Sequence, residues 1–229
     1  MLECRQINTF YGPAHVLFDI DIDVEQGQMV CLIGRNGVGK STTLKSIMGL
    51  APPTSGSVRF EGRDITRLPP HRIAQAGIGY VPEDRRVFAD LTVEENLEVA
   101  ERGGAPWNLP AVFELFPPLL EFRHRRGGLL SGGQQQMLTI ARTLVGNPRL
   151  LLIDEPTEGL SPIVVKTLEG MIRSLKEKGQ TMLLAAQDLR FSLSVADSIY
   201  VLDHGRVIYH APRDQAQAES DRIRSMLSV

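Results

Sequence analysis

Three short segments of the chain consist mainly of consecutive apolar residues: QMVCLIG (28–34), RLLLIDEP (149–156) and TMLLAAQD (181–188). Continuous apolar runs of this length are typical of strands buried on both faces. Between the second and third runs, PIVVKTLEGMIRSLKEKG has the spacing of an amphipathic helix. Strands that alternate with helices predict an α/β fold with a mainly parallel central sheet and right-handed crossovers.

Other segments alternate apolar and polar residues instead. VLFDIDIDVEQG (16–27) predicts a half-exposed strand, and residues 55–65 predict a further pair of exposed strands. Residues 198–210 predict a hairpin that turns at His204-Gly205. Together these segments indicate an antiparallel β subdomain beside the parallel sheet.

The middle of the chain carries a helical pattern. In LTVEENLEVAER, Thr92 is a candidate helix cap and Glu95 stands three residues later, the spacing of a capping box. SGGQQQMLTIARTLV predicts an amphipathic helix capped by Ser131. We therefore predict one domain over 1–229, in which 1–87 and 147–229 form the core and the β subdomain and 88–146 form a helical lobe. The tail from about residue 214 is predicted to be a surface helix.

Composition narrows the class of protein without choosing a function. The chain has 229 residues, 42% hydrophobic and 23% charged, with a formal net charge of −2. That balance gives no sign of nucleic-acid binding. Cys4 and Cys31 lie in apolar runs and are expected to be core thiols. We expect neither a signal peptide nor a membrane-spanning segment, and so a cytosolic chain unless a partner holds it at a membrane.

A phosphate-binding motif follows the first buried run. GRNGVGKS (34–41) matches G-x-x-x-x-G-K-[ST] between a predicted strand and a predicted helix, which is the context this motif requires. Its glycines allow backbone N–H groups to surround phosphates, and the helix N-terminus adds a favourable field. Lys40 is expected to reach the β- and γ-phosphates, and the Ser41 hydroxyl to ligate Mg²⁺.

Two carboxylates end the second buried run. Ligands of such sheets bind beyond the carboxyl ends of the strands, so Asp154 and Glu155 are expected to face the P-loop. We assign Asp154 to the Mg²⁺ shell and Glu155 to the polarisation of the attacking water. Alone, this pair is equally typical of a helix cap; beside a P-loop it predicts a nucleoside triphosphatase.

A second small-residue turn, LLSGGQQQML (129–138), opens a helix and is suited to bind an anion. The open face of the γ-phosphate needs charge neutralisation during hydrolysis. If two chains meet head to tail, each Ser131–Gly133 turn can complete the site of the other chain. An ordinary helix cap is the alternative interpretation.

LSGGQ, placed between a P-loop and a DEP strand, resembles the signature of ABC-transporter ATPases, and the order of motifs agrees over essentially the whole chain. The resemblance implies an ATP-sandwiched dimer in which the signature contacts the ATP bound by the partner. It also implies that Tyr11 stacks on adenine, a contact worth about 1–3 kcal/mol. A plain surface aromatic is the alternative for Tyr11.

Three positions depart from the usual pattern of that family. Glu83 stands where most members have Gln, Gln187 where most have His, and Pro162 replaces the usual Asp. Glu83 can still ligate Mg²⁺ or its water through a carboxylate oxygen. Gln187 can donate an amide N–H to phosphate but cannot carry a proton as His does.

These departures, with VPEDRRVFADLTVEENL and DEPTEGLSP, resemble the importers of branched-chain and other hydrophobic amino acids and their urea or amide relatives. The chain is most similar to the shorter ATPase subunit of that group. The resemblance implies two transmembrane permeases, a second and longer ATPase subunit, and a periplasmic solute-binding protein that acts indirectly. It places the chain peripherally on the cytoplasmic face of the inner membrane; a homodimer in isolation stays possible.

Three alternatives belong to other classes: a soluble ABC ATPase of DNA repair or ribosomes, an export ATPase, and a regulatory subunit with negligible turnover. The first class usually has a coiled-coil insert or two ATPase halves, and this chain has neither pattern. The Glu83 and Gln187 pair favours import over export by resemblance. Glu155 argues for turnover.

The predicted site uses ATP and Mg²⁺. The predicted catalytic residues are Lys40, Glu155 and Gln187, the predicted metal ligands are Ser41, Glu83 and Asp154, and the predicted nucleotide contacts are Tyr11, Gly34, Asn36, Gly37, Gly39, Lys40, Ser41, Thr42, Ser131, Gly132, Gly133 and Gln134.

Overall fold

The computed structural model describes residues 1–102 and 106–228. Its strands, numbered in chain order, are β1 Leu2–Tyr11, β2 Ala14–Val24, β3 Met29–Ile33, β4 Ser55–Phe60, β5 Arg63–Asp64, β6 Ile78–Val81, β7 Leu150–Asp154, β8 Thr181–Ala186, β9 Ser198–Asp203 and β10 Arg206–Pro212. Its helices are α1 Lys40–Ile47, α2 Pro70–Gln75, α3 Val93–Glu98, α4 Leu109–Leu115, α5 Pro117–Glu121, α6 Gly132–Val145, α7 Pro162–Glu177, α8 Leu189–Val195, α9 Arg213–Ala218 and α10 Ser220–Ser228.

The central sheet has the strand order β10-β9-β3-β8-β7-β6. All neighbouring pairs are parallel except β10 with β9, which form the predicted antiparallel hairpin. Every residue of β3, β7 and β8 is buried, as their continuous apolar sequences predict. The predicted mainly parallel α/β sheet is confirmed.

A second, antiparallel sheet has the order β2-β1-β4-β5. The alternating residues of β2 place Ile20 and Ile22 in the core and the intervening acidic residues in solvent. These isoleucines share an apolar cluster with Leu44 and Ile47 of α1 and with Leu32 of β3. Helix α1, and therefore the loop before it, is held between the two sheets.

Helices α3 to α6 occupy the other side of the central sheet, where their apolar faces join a second core cluster. Both predicted caps are present. Thr92 accepts a hydrogen bond from the Glu95 amide while the Glu95 carboxylate accepts one from Thr92, and Ser131 and Gln134 form the same arrangement. These caps satisfy N–H groups that a helix start leaves unpaired.

Some elements differ from the sequence expectation. Helices α2 and α8 are too short to show a helical period, although Asp188 caps α8 by accepting from the Phe191 amide. The tail is predicted to be one surface helix, but it forms the two helices α9 and α10 and buries Ala216 and Ile223.

Cys4 and Cys31 are fully buried, as the sequence predicts. None of the helices in the described part of the chain is long and apolar enough to cross a membrane.

The turn between β9 and β10 supports the loop before α1. The Gly205 amide donates to the Val38 carbonyl at 2.9 Å, and the Phe18 amide donates to the Gly205 carbonyl at 2.8 Å. Gly205 has φ +74°, and a Cβ atom there would lie 2.0 Å from the Val16 carbonyl oxygen. Only glycine fits this contact between the hairpin, β2 and the loop.

We predict that Gly205→Ala destabilises the protein far more than Gly27→Ala. Both glycines have φ +74°, but a Cβ at Gly27 meets nothing within 4 Å. Gly27→Ala should therefore cost only the left-handed backbone penalty, about 1–2 kcal/mol. Gly205→Ala adds a backbone clash and should cost at least about 3 kcal/mol. Urea unfolding measures both; equal losses would show that the hairpin contact is unimportant.

Candidate active site

The loop between β3 and α1 is built by glycines in left-handed conformations. Gly37 has φ +81° and Gly39 has φ +112°, which other residues adopt only with strain. The loop borders a cavity of about 250 Å³. The residues that line it are Asn36, Gly37, Gly39, Lys40, Ser41, Thr42, Glu83, Glu155 and Glu158. A loop of this shape at a helix N-terminus fits the phosphates of a nucleotide.

Lys40 is the first residue of α1, directly after this loop, and is 4% exposed. Its ammonium donates to the Gly34 and Arg35 carbonyls at 2.7 and 2.8 Å. The same Nζ lies 2.9 Å from Glu155 Oε1, so the two side chains form a buried ion pair. The ammonium is therefore fixed at the wall of the phosphate cavity.

Glu155 is the first residue after β7 and has φ +42°. Its amide donates to the Ala185 carbonyl of β8 at 3.0 Å, which holds the chain in this unfavourable turn. The turn separates its side chain from that of Asp154. Burial raises the pKa of Glu155 above its usual range, and Lys40 acts in the opposite direction. A carboxylate with a raised pKa beside a phosphate cavity is suited to accept a proton from water.

Asp154 is held by two hydroxyl groups. Ser41 Oγ donates to Asp154 Oδ1 at 2.9 Å, and the Tyr80 hydroxyl donates to Oδ2 at 3.1 Å. Burial raises the pKa of Asp154, and these two hydrogen bonds oppose that rise. Ser41 and Asp154 present a hydroxyl and a carboxylate oxygen to one point, the hard oxygen donors that suit Mg²⁺.

The other predicted residues are distributed around this centre. Glu83 lines the P-loop cavity beside Ser41. Gln187 is exposed and lines an adjacent cavity of about 380 Å³ with Gly34 and Asn36. Tyr11 is exposed at the end of β1.

The turn Ser131–Gly133, called the signature turn below, lies at the start of α6, and the exposed Ser131 is the N-cap of that helix. Of the described residues, none from Ser131 to Gln134 lines the P-loop cavity of the same chain. The separation of the two turns is what an exchange between two chains requires.

Sequence reasoning missed Glu158 and Tyr80. Glu158 lines the P-loop cavity, and its position three residues after Glu155 in DEPTEG was a usable signal. Tyr80 reaches Asp154 because β6 and β7 are neighbours, with Tyr80 opposite Leu152. No local pattern in the sequence reports that pairing.

Comparison with known proteins identifies the family. The ABC transporter family matches residues 17–158, more than half of the chain. The chain belongs to the ABC transporter family.

Two relatives of this ABC protein are similar over nearly their whole length. The high-affinity branched-chain amino acid transport ATP-binding protein BraG of Pseudomonas aeruginosa is 42% identical over 92% of each chain. The probable branched-chain amino acid transport ATP-binding protein LivF of Archaeoglobus fulgidus is 40% identical over 94% of this chain and 93% of its own. A solved ATP-binding subunit of an ABC transporter superposes with a TM-score of 0.85 at 29% identity, covering both chains completely.

The fold and the activity predicted from the sequence are thereby confirmed. The chain has the fold of an ABC ATPase, binds ATP and hydrolyses it. The assignment of the P-loop, Asp154 and Glu155 to this activity stays a prediction.

We predict that, in the nucleotide-free protein, Lys40 and Glu155 stabilise the fold mainly because each charge offsets the cost of burying the other. Lys40→Met leaves a buried carboxylate without its partner and should lower the free energy of unfolding by about 3–5 kcal/mol at pH 7. Lys40→Met combined with Glu155→Gln removes both charges and should recover most of that loss.

The defect of Lys40→Met should shrink as the pH falls. Burial gives folded Glu155 a pKa above that of the unfolded chain, so the folded variant takes up a proton as the pH falls toward that pKa and gains stability. Urea unfolding at pH 5 and pH 8 measures the difference. A defect that is independent of pH and equal in the double variant would contradict the account.

Proposed function

We propose that this chain is the ATP-hydrolysing subunit of an importer that powers the uptake of branched-chain amino acids, or related hydrophobic amino acids, urea or amides, through partner permeases. The ATPase activity is supported by the P-loop cavity, which Lys40, Ser41 and Glu155 line. Asp154 adjoins it through its hydrogen bond from Ser41. The transport half is supported by the whole-length similarity to BraG and LivF.

In the proposed mechanism the phosphates of ATP occupy the P-loop cavity. The γ-phosphate then competes with Glu155 for the Lys40 ammonium, and Glu155 is released to orient and deprotonate the attacking water. Mg²⁺ would be held by Ser41, Asp154 and Glu83 and would supply neutralisation of the phosphate charge. Gln187 would contribute an amide N–H toward the γ-phosphate from the adjacent cavity.

The proposed nucleotide site is completed by a second ATPase chain. The contacts from this chain are Tyr11 on the adenine and the P-loop residues Gly34, Asn36, Gly37, Gly39 and Thr42 on the phosphates. Ser131, Gly132, Gly133 and Gln134 would contact the ATP of the other subunit, since they lie outside the P-loop cavity of their own chain. The partner would be a longer sister ATPase subunit. In isolation, the chain would pair with a second copy of itself.

Residues 1–229 would act as one ATPase domain, with 88–146 as the lobe that meets the permease. A groove of about 610 Å³ runs between the central sheet and this lobe. Leu50 and Val99 line it and are 53% and 64% exposed. Exposed apolar side chains around a groove are typical of a protein-binding surface. Two permeases would dock there, on the cytoplasmic face of the inner membrane, and couple the ATPase to the periplasmic binding protein.

The proposed base is tested by Glu155→Gln. The variant should bind ATP at least as tightly as the wild type, because the P-loop is intact and the carboxylate that competes for Lys40 is gone. It should lose turnover by at least about 100-fold, since an amide cannot accept the proton from water. Nucleotide titration and phosphate release, measured with the partner subunits present, separate binding from hydrolysis. A wild-type chain no faster than Glu155→Gln would refute catalytic turnover and favour a regulatory subunit.

The permease groove is tested by Val99→Glu. A carboxylate in an apolar contact remains unpaired and should lower retention of the chain in washed membranes by at least about tenfold, while ATP binding is unchanged. Ile208→Glu is the matched control, because Ile208 is also exposed but lies on β10, outside the groove. Equal retention of both variants would contradict docking at the groove.

A further inference from the structure

Arg85 lies between two turns that belong to different parts of the site. Its Nη2 donates to the Glu158 carbonyl at 2.6 Å. Glu158 lines the P-loop cavity of this chain, and Gly159 follows it with φ +64°. A Cβ atom on Gly159 would lie 3.6 Å from the same Nη2. The guanidinium therefore rests on the segment that follows the catalytic strand β7.

The same guanidinium contacts the signature turn. A Cβ atom on Gly132 would lie 2.6 Å from Arg85 Nη1, so the end of this flexible side chain would have to move aside. Glycine at this position therefore allows the guanidinium to rest against the turn. Arg85 fills the space that a side chain at 132 would take.

The backbone at Arg85 is strained to permit this placement. Arg85 has φ +44°, a left-handed conformation that a non-glycine residue adopts only with strain. Two residues before it, Glu83 lines the P-loop cavity. The segment from Glu83 to Arg85 thus turns back sharply. This turn places the guanidinium between the Glu158 segment and the signature turn.

The continuation of this segment is fastened to the signature helix. Arg142 of α6 donates to the Arg86 carbonyl and lies over the Phe88 ring at 4.6 Å. Buried Asn96 accepts from the Phe88 amide at 2.9 Å. Arg85 is consequently tied to α6 by its side chain at the helix start and by its neighbours near the helix end.

We propose that Arg85 is a positioning residue that locks the signature turn to the Glu158 segment, so that the two ATP sites of the assembly are mechanically joined through one side chain. The inference rests on the proposed role of the signature turn. Glu158 borders the ATP bound by this chain, and Gly132 opens the turn that serves the ATP of the other subunit. A displacement of either turn is transmitted by the guanidinium to the other.

The first test separates catalysis from binding in the complex with its partner subunits. Arg85→Ala removes a charge-assisted hydrogen bond and should lower kcat by about tenfold or more, while the Kd for ATP of the single chain is unchanged. Arg86→Ala is the matched control, since the Arg86 side chain is exposed and is paired with Asp84. An Arg85→Ala enzyme with the kcat of Arg86→Ala would overturn the proposal.

The second test is a double-variant cycle of Arg85→Ala and Gly132→Ala, measured by Tm. In the wild-type background the methyl group displaces the guanidinium, so Gly132→Ala should lower the Tm by a few degrees. In the Arg85→Ala background the space is free and the Tm should not fall further, because both changes break one contact. Strictly additive losses in Tm would reject the lock.

The cycle also distinguishes this inference from the proposed function. The Tm values report the contact between Arg85 and Gly132 and require no ATP hydrolysis. If Glu155→Gln abolishes turnover but Arg85→Ala leaves kcat unchanged, the ATPase mechanism stands and the positioning role alone is rejected. If Glu155→Gln keeps turnover, the proposed mechanism fails whatever the cycle gives.

Discussion

The buried ion pair between Lys40 and Glu155 is the contact on which the site depends. Two charges removed from water must compensate each other closely, because an unpaired one costs several kcal/mol. The partners leave from β3 and β7, which are not neighbours, since β8 lies between them. The pair therefore fixes the distance across three strands and holds the P-loop and the catalytic strand end in one arrangement.

The parallel register of β3, β8 and β7 allows Lys40 and Glu155 to meet across the sheet. Ile33 lies opposite Ala186, and Asp154 lies opposite Ala185, so the three strands end at one edge of the sheet. Small side chains at the end of β8 leave room above it, and the Ala185 carbonyl anchors the turn at Glu155. On the opposite flank, the Gly205 turn supports the P-loop from below. The ion pair thus needs both the buried strands and the turns at their ends.

The core elements could be predicted from the sequence because each has a local signal in it. The apolar runs predicted β3, β7 and β8, and the cap residues Thr92 and Ser131 marked helix starts. The P-loop and the strand-end carboxylates also had local signals, and their catalytic roles stay a prediction. The helices α2 and α8 were missed because six or seven residues show no clear period. The packing of the tail depends on partners far away in sequence, so Ile223 gave no sign of its burial.

Residues that act across elements were also beyond sequence reasoning. Tyr80 reaches Asp154 only because β6 pairs with β7, and Arg85 reaches Gly132 only because the segment after β6 folds back on α6. Such residues have ordinary neighbours in sequence, and their partners are set by topology.

The central claim is that this ATPase works on membrane permeases, and purification from its own host tests it most directly. The chain, tagged at its C-terminus, is isolated from gently solubilised membranes and its companions are identified by mass spectrometry. The account predicts two hydrophobic permeases and a longer ATPase subunit. Recovery from the soluble fraction alone, together with ribosomal or DNA-repair proteins, would contradict the transport claim and leave only the ATPase.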